Sequence, residues 1–314
     1  MQPEIIAMGE PMLEFNATQE GSLAEVDLFS VGYGGDTSNF AIAASRLGGS
    51  VGYVTALGKD PFGDRFINLW ETEGIDTSQI KRDPGSPTGI YFISRKDNQH
   101  YFTYYRNTSA ASGMNVSDLP RDYIGQGRVL HVSGISQAIS LSACDTVFAA
   151  ILAAKNSGVR VSYDPNLRVK LWPIERARAI IHQTASMSDL FLPSYEDATA
   201  LTGLESPEAI ARFYLDLGPE IVVLKLGADG ALLATRAENG DGYSLQGFKS
   251  FSVETVDMTG AGDTFDGAFV VSWLSGQPLE SCVQFANAAA AIVTTGLGAV
   301  TPIPRKSEVE AIMA

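Results

Sequence analysis

The segment DMTGAGDTFDGA, at residues 257–268, has the strongest potential for chemistry in this sequence. Gly260, Ala261 and Gly262 precede a predicted helix that begins near Asp263. Backbone amides at the start of a helix point outward with the positive end of the helix dipole, so this turn predicts an anion site. Phosphoryl transfer needs such a cradle and a carboxylate that orients the attacking alcohol, which is the role predicted for Asp263. Taken alone, the motif fits equally well a glycine turn in which the aspartate only caps the helix.

A second glycine cluster, GYGGDTSN at residues 32–39, also precedes a predicted helix. Gly34 and Gly35 let the backbone approach a ligand closely, and Asp36 and Asn39 are suited to hydrogen-bonding the hydroxyls of a sugar. The spacing does not match the GxGxxG dinucleotide fingerprint, and the chain contains no GxxxxGK[ST] phosphate loop. The dinucleotide interpretation therefore fails.

Apolar runs that alternate with helical patterns must position these two clusters. Candidate strands lie at residues 5–9, 51–57, 129–132, 159–163, 190–192, 221–226 and 251–256. Candidate helices lie at residues 39–47, 62–72, 141–156 and 173–185. Strands separated by helices of this length indicate crossover units and a mainly parallel sheet. We therefore expect one doubly wound α/β domain over residues 1–314.

Two β-rich segments, at about residues 11–32 and 87–108, interrupt this alternation and predict a small accessory sheet that acts as a lid. In the second segment, residues 89–94 and 101–105 form a predicted hairpin around a polar turn at residues 96–99. A lid excludes water from a reaction that water would otherwise spoil. The lid carries many apolar side chains for an exposed sheet, so we expect the lid of a second copy to cover it in a homodimer.

The composition limits the partners of this chain. Its 314 residues carry a formal net charge of −14, which argues against nucleic acid and against an anionic membrane surface. Cys144 and Cys282 provide neither a disulfide framework nor the spacing of zinc ligands. The N-terminal residues lack the pattern of a signal peptide, and no apolar run is long enough to span a membrane. We therefore expect a soluble cytoplasmic protein.

The two glycine clusters, in this order, resemble the two signatures of the ribokinase-like (PfkB) carbohydrate kinase family. The resemblance covers nearly the whole chain, including KLGADGA at residues 225–231 and GLGA at residues 296–299. It implies a central, mainly parallel sheet flanked by helices, with a β-lid that often mediates dimerisation. It also implies that Asp263 is the catalytic base, that the Gly-Ala-Gly amides form an anion hole, and that ATP and Mg²⁺ are bound. Dependence on a monovalent cation such as K⁺ stays open.

The same resemblance implies a nucleotide and metal site. The implied nucleotide-binding residues are Asn166, Ser194, Lys225, Gly227, Gly230, Gly262 and Asn287. The family commonly carries Asn-x-x-Glu at the position where this chain has PSYED, residues 193–197. Ser194 and Asp197 would then serve in its place, with Asp197 binding the metal through water. From the sequence alone, a lysine that follows a strand would be expected to lie on the surface. Only the family resemblance implies that Lys225 lies near ATP.

Two arginines narrow the substrate. Arg106 ends the predicted lid hairpin, and Arg168 follows a predicted strand, where open α/β sheets bind ligands. An arginine fork suits a carboxylate, whereas a neutral sugar needs hydroxyl partners such as Asp and Asn. These stretches, with residues 9–14 (GEPMLE) and 130–135 (LHVSGI), are similar to 2-keto-3-deoxygluconate kinases within the family. That similarity implies that the sugar acid contacts Gly34, Tyr91, Tyr104, Arg106 and Arg168.

Three alternatives stay open at this point. Arg106 could pair with a surface acid and Arg168 could serve only the phosphates of ATP, in which case the sugar need not be acidic. A fructokinase is the main rival, since fructokinases share the fold and parts of these motifs. A non-catalytic sugar sensor descended from a kinase would be expected to lose Asp263 or the Gly-Ala-Gly turn, and both are intact.

Overall fold

Residues 2–97, 99–237 and 242–314 are described by the structure, a computed structural model. Within these residues the strands form one sheet of nine strands and one of four. The larger sheet consists of β1 (Ile5–Met8), β4 (Val51–Gly58), β5 (Ile80–Asp83), β8 (Val129–Ser133), β9 (Arg160–Asp164), β10 (Leu190–Phe191), β11 (Ile221–Lys225), β12 (Ala231–Arg236) and β13 (Tyr243–Phe248). The smaller sheet consists of β2 (Met12–Glu20), β3 (Phe29–Gly34), β6 (Gly89–Lys96) and β7 (Gln99–Tyr105).

The larger sheet has the order β13-β12-β11-β10-β9-β8-β1-β4-β5. From β11 to β5 every neighbouring pair is parallel, and β12 and β13 extend one edge in the antiparallel sense. Every residue of β1 and β4 is buried, as expected for central strands that are covered on both faces. The predicted mainly parallel sheet is therefore confirmed.

Helices cover both faces of this sheet. Among the described residues they are α1 (Asp36–Arg46), α2 (Pro61–Thr72), α3 (Arg121–Gly125), α4 (Gly134–Ala138), α5 (Leu141–Asn156), α6 (Ile174–Ala185), α7 (Tyr195–Thr202), α8 (Pro207–Leu217), α9 (Ala261–Leu274), α10 (Leu279–Val293) and α11 (Lys306–Met313). One core cluster contains Phe40 of α1 and Phe269 of α9, and the other contains Tyr163 of β9 and Tyr214 of α8. In the described part of the chain, no helix combines the length and apolar character needed to cross a membrane.

The smaller sheet corresponds to the predicted lid segments. Strand β2 pairs with β3 in the antiparallel sense and with β6 in the parallel sense, and β6 pairs with β7 as a hairpin. The predicted polar turn at residues 96–99 includes Asn98, which lies outside the described residues. On one face of the sheet, Phe15 stacks on Phe92 and meets Phe62 of α2 edge to face, which attaches the lid to the larger domain.

Two local predictions differ from the structure. Residues 251–256 form an irregular loop instead of a strand, because the amides of Val256 and Asp257 donate to the carbonyl of Thr294 and not to a neighbouring strand. Helix α1 begins at Asp36, three residues before the predicted start at residue 39. Gly35 has a φ of +107°, so the chain turns sharply there and the helix begins directly after it.

Candidate active site

Two helices bring the two glycine clusters together. Helix α1 follows the first cluster and α9 follows the second. The helices pack closely, since a Cβ on Gly267 would lie only 2.9 Å from the carbonyl oxygen of Phe40. As a result, Asn39 Nδ2 donates a hydrogen bond of 2.8 Å to Asp263 Oδ2. The two motifs that the sequence identified separately therefore form one site.

The carboxyl group of Asp263 has a strongly raised pKa. Burial raises this pKa, and the negative charge of Asp36 raises it further. The hydrogen bond from Asn39 lowers it, and the resulting pKa is about 7. A general base is most effective when its pKa lies near the working pH, because it is then both ionised and able to hold a proton. Asp263 is therefore suited to accept the proton of an attacking hydroxyl.

The Gly-Ala-Gly segment, in which Gly260 caps α9 and Ala261 and Gly262 begin it, presents free amides. Gly260 has a φ of +79°, in the left-handed region that favours glycine, and a Cβ there would lie 2.9 Å from the carbonyl oxygen of Ala299. The amide of Ala261 already donates a hydrogen bond within the turn. The amides of Gly262 and Asp263 donate none among the described residues. The amides of Gly262, which is in the predicted set, and of Asp263, which is not, are therefore free to bind an anion.

Lys225 lies behind this cradle. Its Nζ is 3.0 and 3.1 Å from the two carboxylate oxygens of Asp266, and 3.2 Å from Asp164 Oδ2. A Cβ on Gly262 would lie 3.5 Å from the same Nζ. An ammonium has three N–H donors, and these three contacts occupy them. Lys225 therefore places a positive charge next to the anion cradle without a free donor.

Lys225 and the two aspartates form a buried group whose charges shift one another's pKa values. Burial alone would lower the pKa of Lys225, but the two carboxylates raise it. Burial opposes the ionisation of Asp164, yet the adjacent ammonium holds its pKa below the usual value. Burial raises the pKa of Asp266 well above its usual value, against the effect of the lysine. The contacts with the carboxylates thus favour the charged form of Lys225, the ammonium favours the charged form of Asp164, and burial disfavours that of Asp266.

Asp36 connects the sugar cluster to the loop after β9. Its Oδ2 accepts a hydrogen bond of 3.2 Å from Asn166 Nδ2, and its Oδ1 accepts one from the amide of Thr37. Burial raises the pKa of Asp36, and the positive charge of Arg168 opposes that effect. Arg168 itself is exposed, and its one hydrogen bond within the described residues goes to the carbonyl of Leu167. The guanidinium therefore lies near the site with most of its donors available.

The lid contributes two tyrosines to the site. Tyr91 and Tyr104 are opposite each other on β6 and β7, and their rings stack at 5.6 Å. A Cβ on Gly34 would lie 2.5 Å from the Tyr91 hydroxyl, so only glycine leaves room for that hydroxyl. The Tyr91 hydroxyl donates to Glu14 Oε2. Glu14, which the sequence reasoning did not identify, therefore orients Tyr91 towards Gly34.

Arg106 is buried at the base of the lid. Its guanidinium forms an ion pair with Glu10, and the side chains are 6% and 0% exposed. Ser109 Oγ donates to the other oxygen of Glu10. The acid that pairs with Arg106 is therefore buried, which differs from the surface acid considered as an alternative. Arg106 Nε makes no hydrogen bond among the described residues.

The remaining predicted residues lie around a neighbouring edge of the sheet. Gly227 and Gly230 form the turn between β11 and β12 and have φ values of +60° and +98°. Asn287 of α10 is buried, and its side chain donates to the carbonyl of Lys249 just after β13. Gly227 is exposed, whereas Gly230 is buried against the carbonyl oxygen of Phe248.

Ser194 and Asp197 begin α7. Ser194 Oγ accepts a hydrogen bond from the Asp197 amide and so caps the helix, while Asp197 Oδ2 accepts one from the amide of Leu167. Burial raises the pKa of Asp197. The two side chains thus hold the loop after β9 against α7, and one oxygen of Asp197 makes no hydrogen bond among the described residues.

The comparison with known proteins agrees with this geometry. Residues 2–306 match the model of the pfkB family carbohydrate kinases. This chain belongs to that family. It is 33% identical to the 2-dehydro-3-deoxygluconokinase of Bacillus subtilis, over 100% of this chain and 96% of that protein. It is 35% identical to fructokinase-1 of Zea mays, over 97% of this chain and 96% of that protein.

A solved structure extends the likeness of this pfkB kinase to its fold. A putative ribokinase II from E. coli, solved in complex with ATP and Mg²⁺, has a TM-score of 0.90 and 26% identity, and the match covers 99% of each chain. The protein is therefore an ATP-dependent sugar kinase with a ribokinase-like fold. The similarity to a gluconate-type kinase and to a fructokinase is nearly equal, so identity alone does not distinguish their substrates.

Proposed function

We propose that this kinase transfers the γ-phosphoryl group of ATP to 2-keto-3-deoxygluconate and forms 2-keto-3-deoxy-6-phosphogluconate. The observation that carries the proposal is the incomplete hydrogen bonding of Arg106. Its Nε is buried and makes no hydrogen bond among the described residues, while Nη2 is in contact with Glu10 Oε2. Buried charged donors without acceptors are costly, so the guanidinium has capacity for a substrate carboxylate. The exposed Arg168 could supply a second cationic contact.

The proposed reaction assigns each side chain of the site a separate task. Asn39 and Asp36 would hold sugar hydroxyls, and Asp263 would take the proton of the attacking hydroxyl. The amides of Gly262 and Asp263 would receive the transferred phosphoryl group at the positive end of α9. Lys225 would add its charge from behind that turn. The lid tyrosines, Tyr91 and Tyr104, would cover the sugar and exclude water.

Mg²⁺ fits the residues that are present. Mg²⁺ is usually bound by one or two carboxylates together with the phosphates of the substrate, and Asp197 offers one oxygen for this purpose. Bound Mg²⁺ would neutralise negative charge on the phosphates of ATP. Ser194 would bind the nucleotide, as would Gly227, Gly230 and Asn287 at the neighbouring edge. On the family resemblance we extend the proposal to a monovalent cation such as K⁺, and on the sequence patterns described above to a cytoplasmic location.

We also propose a homodimer joined through the lids. Within the described residues, several large apolar side chains of the lid are exposed, with Tyr105 at 60%, Leu28 at 59%, Tyr101 at 48% and Val31 at 42%. An apolar patch of this kind is typical of an interaction surface, and a symmetric copy of the same sheet is its simplest cover. Sedimentation velocity at micromolar concentration should show a dimer, and a stable monomer would contradict this proposal.

Fructose is the second candidate substrate. It is favoured by the Glu10 carboxylate, which already balances the charge of Arg106, so that the pair needs no anionic ligand. The test is ADP release measured with 2-keto-3-deoxygluconate, fructose, ribose, adenosine and no sugar. Efficient turnover of the keto acid is the expected result. Turnover of fructose without turnover of the keto acid would show that the substrate is fructose and not 2-keto-3-deoxygluconate. The absence of turnover with every sugar would favour a non-catalytic sensor.

A further inference from the structure

A buried ion pair joins the lid to the larger domain. Glu10 lies in the short connection between β1 and β2, and Arg106 comes directly after β7. The two side chains are 0% and 6% exposed, and Ser109 donates a hydrogen bond to the same carboxylate. A pair at this depth normally needs complete hydrogen bonding to offset the cost of desolvation.

The hydrogen bonding of this pair is incomplete in the described structure. Arg106 Nη2 is in contact with Glu10 Oε2, but Arg106 Nε is buried and has no acceptor among the described residues. A guanidinium has five N–H donors in a fixed plane, and one carboxylate cannot use them all. The free donors therefore point to a second acceptor that occupies the site only when a ligand is bound.

The charge of the pair determines which ligand can do so. The Glu10 carboxylate balances the charge of Arg106 across their contact. Burial raises the pKa of Glu10, the contact with Arg106 lowers it, and the nearby negative charge of Asp36 adds to the rise. A small free anion would have to lose its hydration for contacts with a neutralised guanidinium, which is unfavourable. A sugar acid also gains hydroxyl contacts, for example with Asn39, which has a buried Oδ1 without a partner among the described residues.

We propose that Glu10 is a specificity-determining residue: by neutralising Arg106 it excludes free small anions from the sugar site, while leaving donors for a carboxylate that belongs to a sugar. The part about the substrate carboxylate depends on the proposed function. The part about free anions depends only on the Glu10–Arg106 pair.

Glu10→Gln with acetate as the probe tests this proposal. The substitution keeps the shape of the side chain and leaves Arg106 with an uncompensated charge. Acetate should then inhibit competitively against the sugar, with an inhibition constant about tenfold or more lower than for the wild type. Inhibition is measured with whichever sugar the wild type phosphorylates, so the result is independent of the substrate assignment. Glu25→Gln is the matched control, because Glu25 is an exposed lid acid paired with Lys96.

Two further variants make the result decisive. Glu10→Asp retains the charge but shortens the side chain, so it should give an intermediate sensitivity to acetate, and it replaces Glu10→Gln if that variant does not fold. Adding Arg106→Gln to Glu10→Gln should abolish the inhibition. Equal acetate sensitivity of the wild type and the Glu10 variants would overturn the proposal, and so would inhibition that persists without the arginine.

Discussion

Replacing Asp263 by asparagine distinguishes a catalytic base from a residue that only begins a helix. The substitution preserves the size of the side chain but removes its charge and its affinity for a proton. We expect kcat to fall by about 10²–10⁴-fold, or about 3–5 kcal/mol of transition-state stabilisation, while the KM for ATP stays near the wild-type value. The new side chain still offers an oxygen to Asn39, which now donates to Asp263 at 2.8 Å, so the two helices should keep their packing.

The same substitution should stabilise the protein at alkaline pH. The pKa of Asp263 in the folded chain is about 7, above the ordinary value of 3.8, so the folded state binds the proton more tightly than the unfolded state. Stability due to this group is therefore present at pH 4 and lost as the pH rises through 7. The neutral amide avoids that loss. The difference in pKa sets an upper limit of about 4 kcal/mol at pH 8, which partial exposure of the side chain reduces.

Two measurements test these expectations. A coupled ADP-release assay over pH 5–9 should show wild-type kcat/KM falling about tenfold per pH unit below pH 7, and the variant should lose that dependence. Thermal melting should show a higher Tm for the variant than for the wild type at pH 8 and no such gain at pH 4. Asp145→Asn, an exposed aspartate on α5, is the control and should change neither property. Near wild-type turnover by Asp263→Asn would refute the assignment of Asp263 as the base.

Three further predictions follow from the contacts of the site. Arg106→Ala should lower kcat/KM for the keto acid by an amount equivalent to about 2–4 kcal/mol of transition-state stabilisation, and Arg106→Lys should recover only part of that loss. Unchanged steady-state kinetics would exclude a carboxylate contact. Lys225→Met should raise the KM for ATP, which steady-state kinetics would measure. It should also lower the free energy of unfolding by about 3–5 kcal/mol in chemical denaturation, because it leaves Asp164 and Asp266 buried without a cation. Gly34→Ala should raise the KM for the sugar by displacing the Tyr91 hydroxyl, with ATP binding unchanged by calorimetry.

The sequence predicted the parts of this molecule that depend on local pattern. The helices and strands that were predicted, apart from residues 251–256, were found within a few residues, because alternating and helical periodicities are local properties. Several helices, among them α7 and α8, and the edge strands β5, β12 and β13 were not predicted. Asp263 and Asn39 were recognised separately from their glycine clusters, and the structure brings them within 2.8 Å. The strand predicted at residues 251–256 was wrong, since an apolar alternating segment can equally bond to a distant loop at Thr294.

Contacts between distant residues could not be predicted in this way. Asp266 is one helical turn beyond Asp263 in an otherwise apolar helix, and a buried acid there was a signal that could have been noticed. Its partner Lys225 is 41 positions away, however, and spacing carries no information about that pairing. The Glu10–Arg106 pair is of the same kind, because neither residue has a pattern that points to the other.

The close packing of α1 against α9 at Gly267 places the residues proposed for phosphoryl transfer in a different part of the chain from the lid residues proposed to bind the sugar. The proposed base, Asp263, and the proposed anion cradle lie at the start of α9, which packs closely on α1. Tyr91 and Tyr104 lie instead on the small sheet, and Arg106 directly follows it. The residues proposed for the chemical step therefore lie outside the small sheet. Preference for one sugar over another can change by substitution in the small sheet while the chemical step is preserved, which makes the lid the natural segment to exchange between a gluconate-type kinase and a fructokinase.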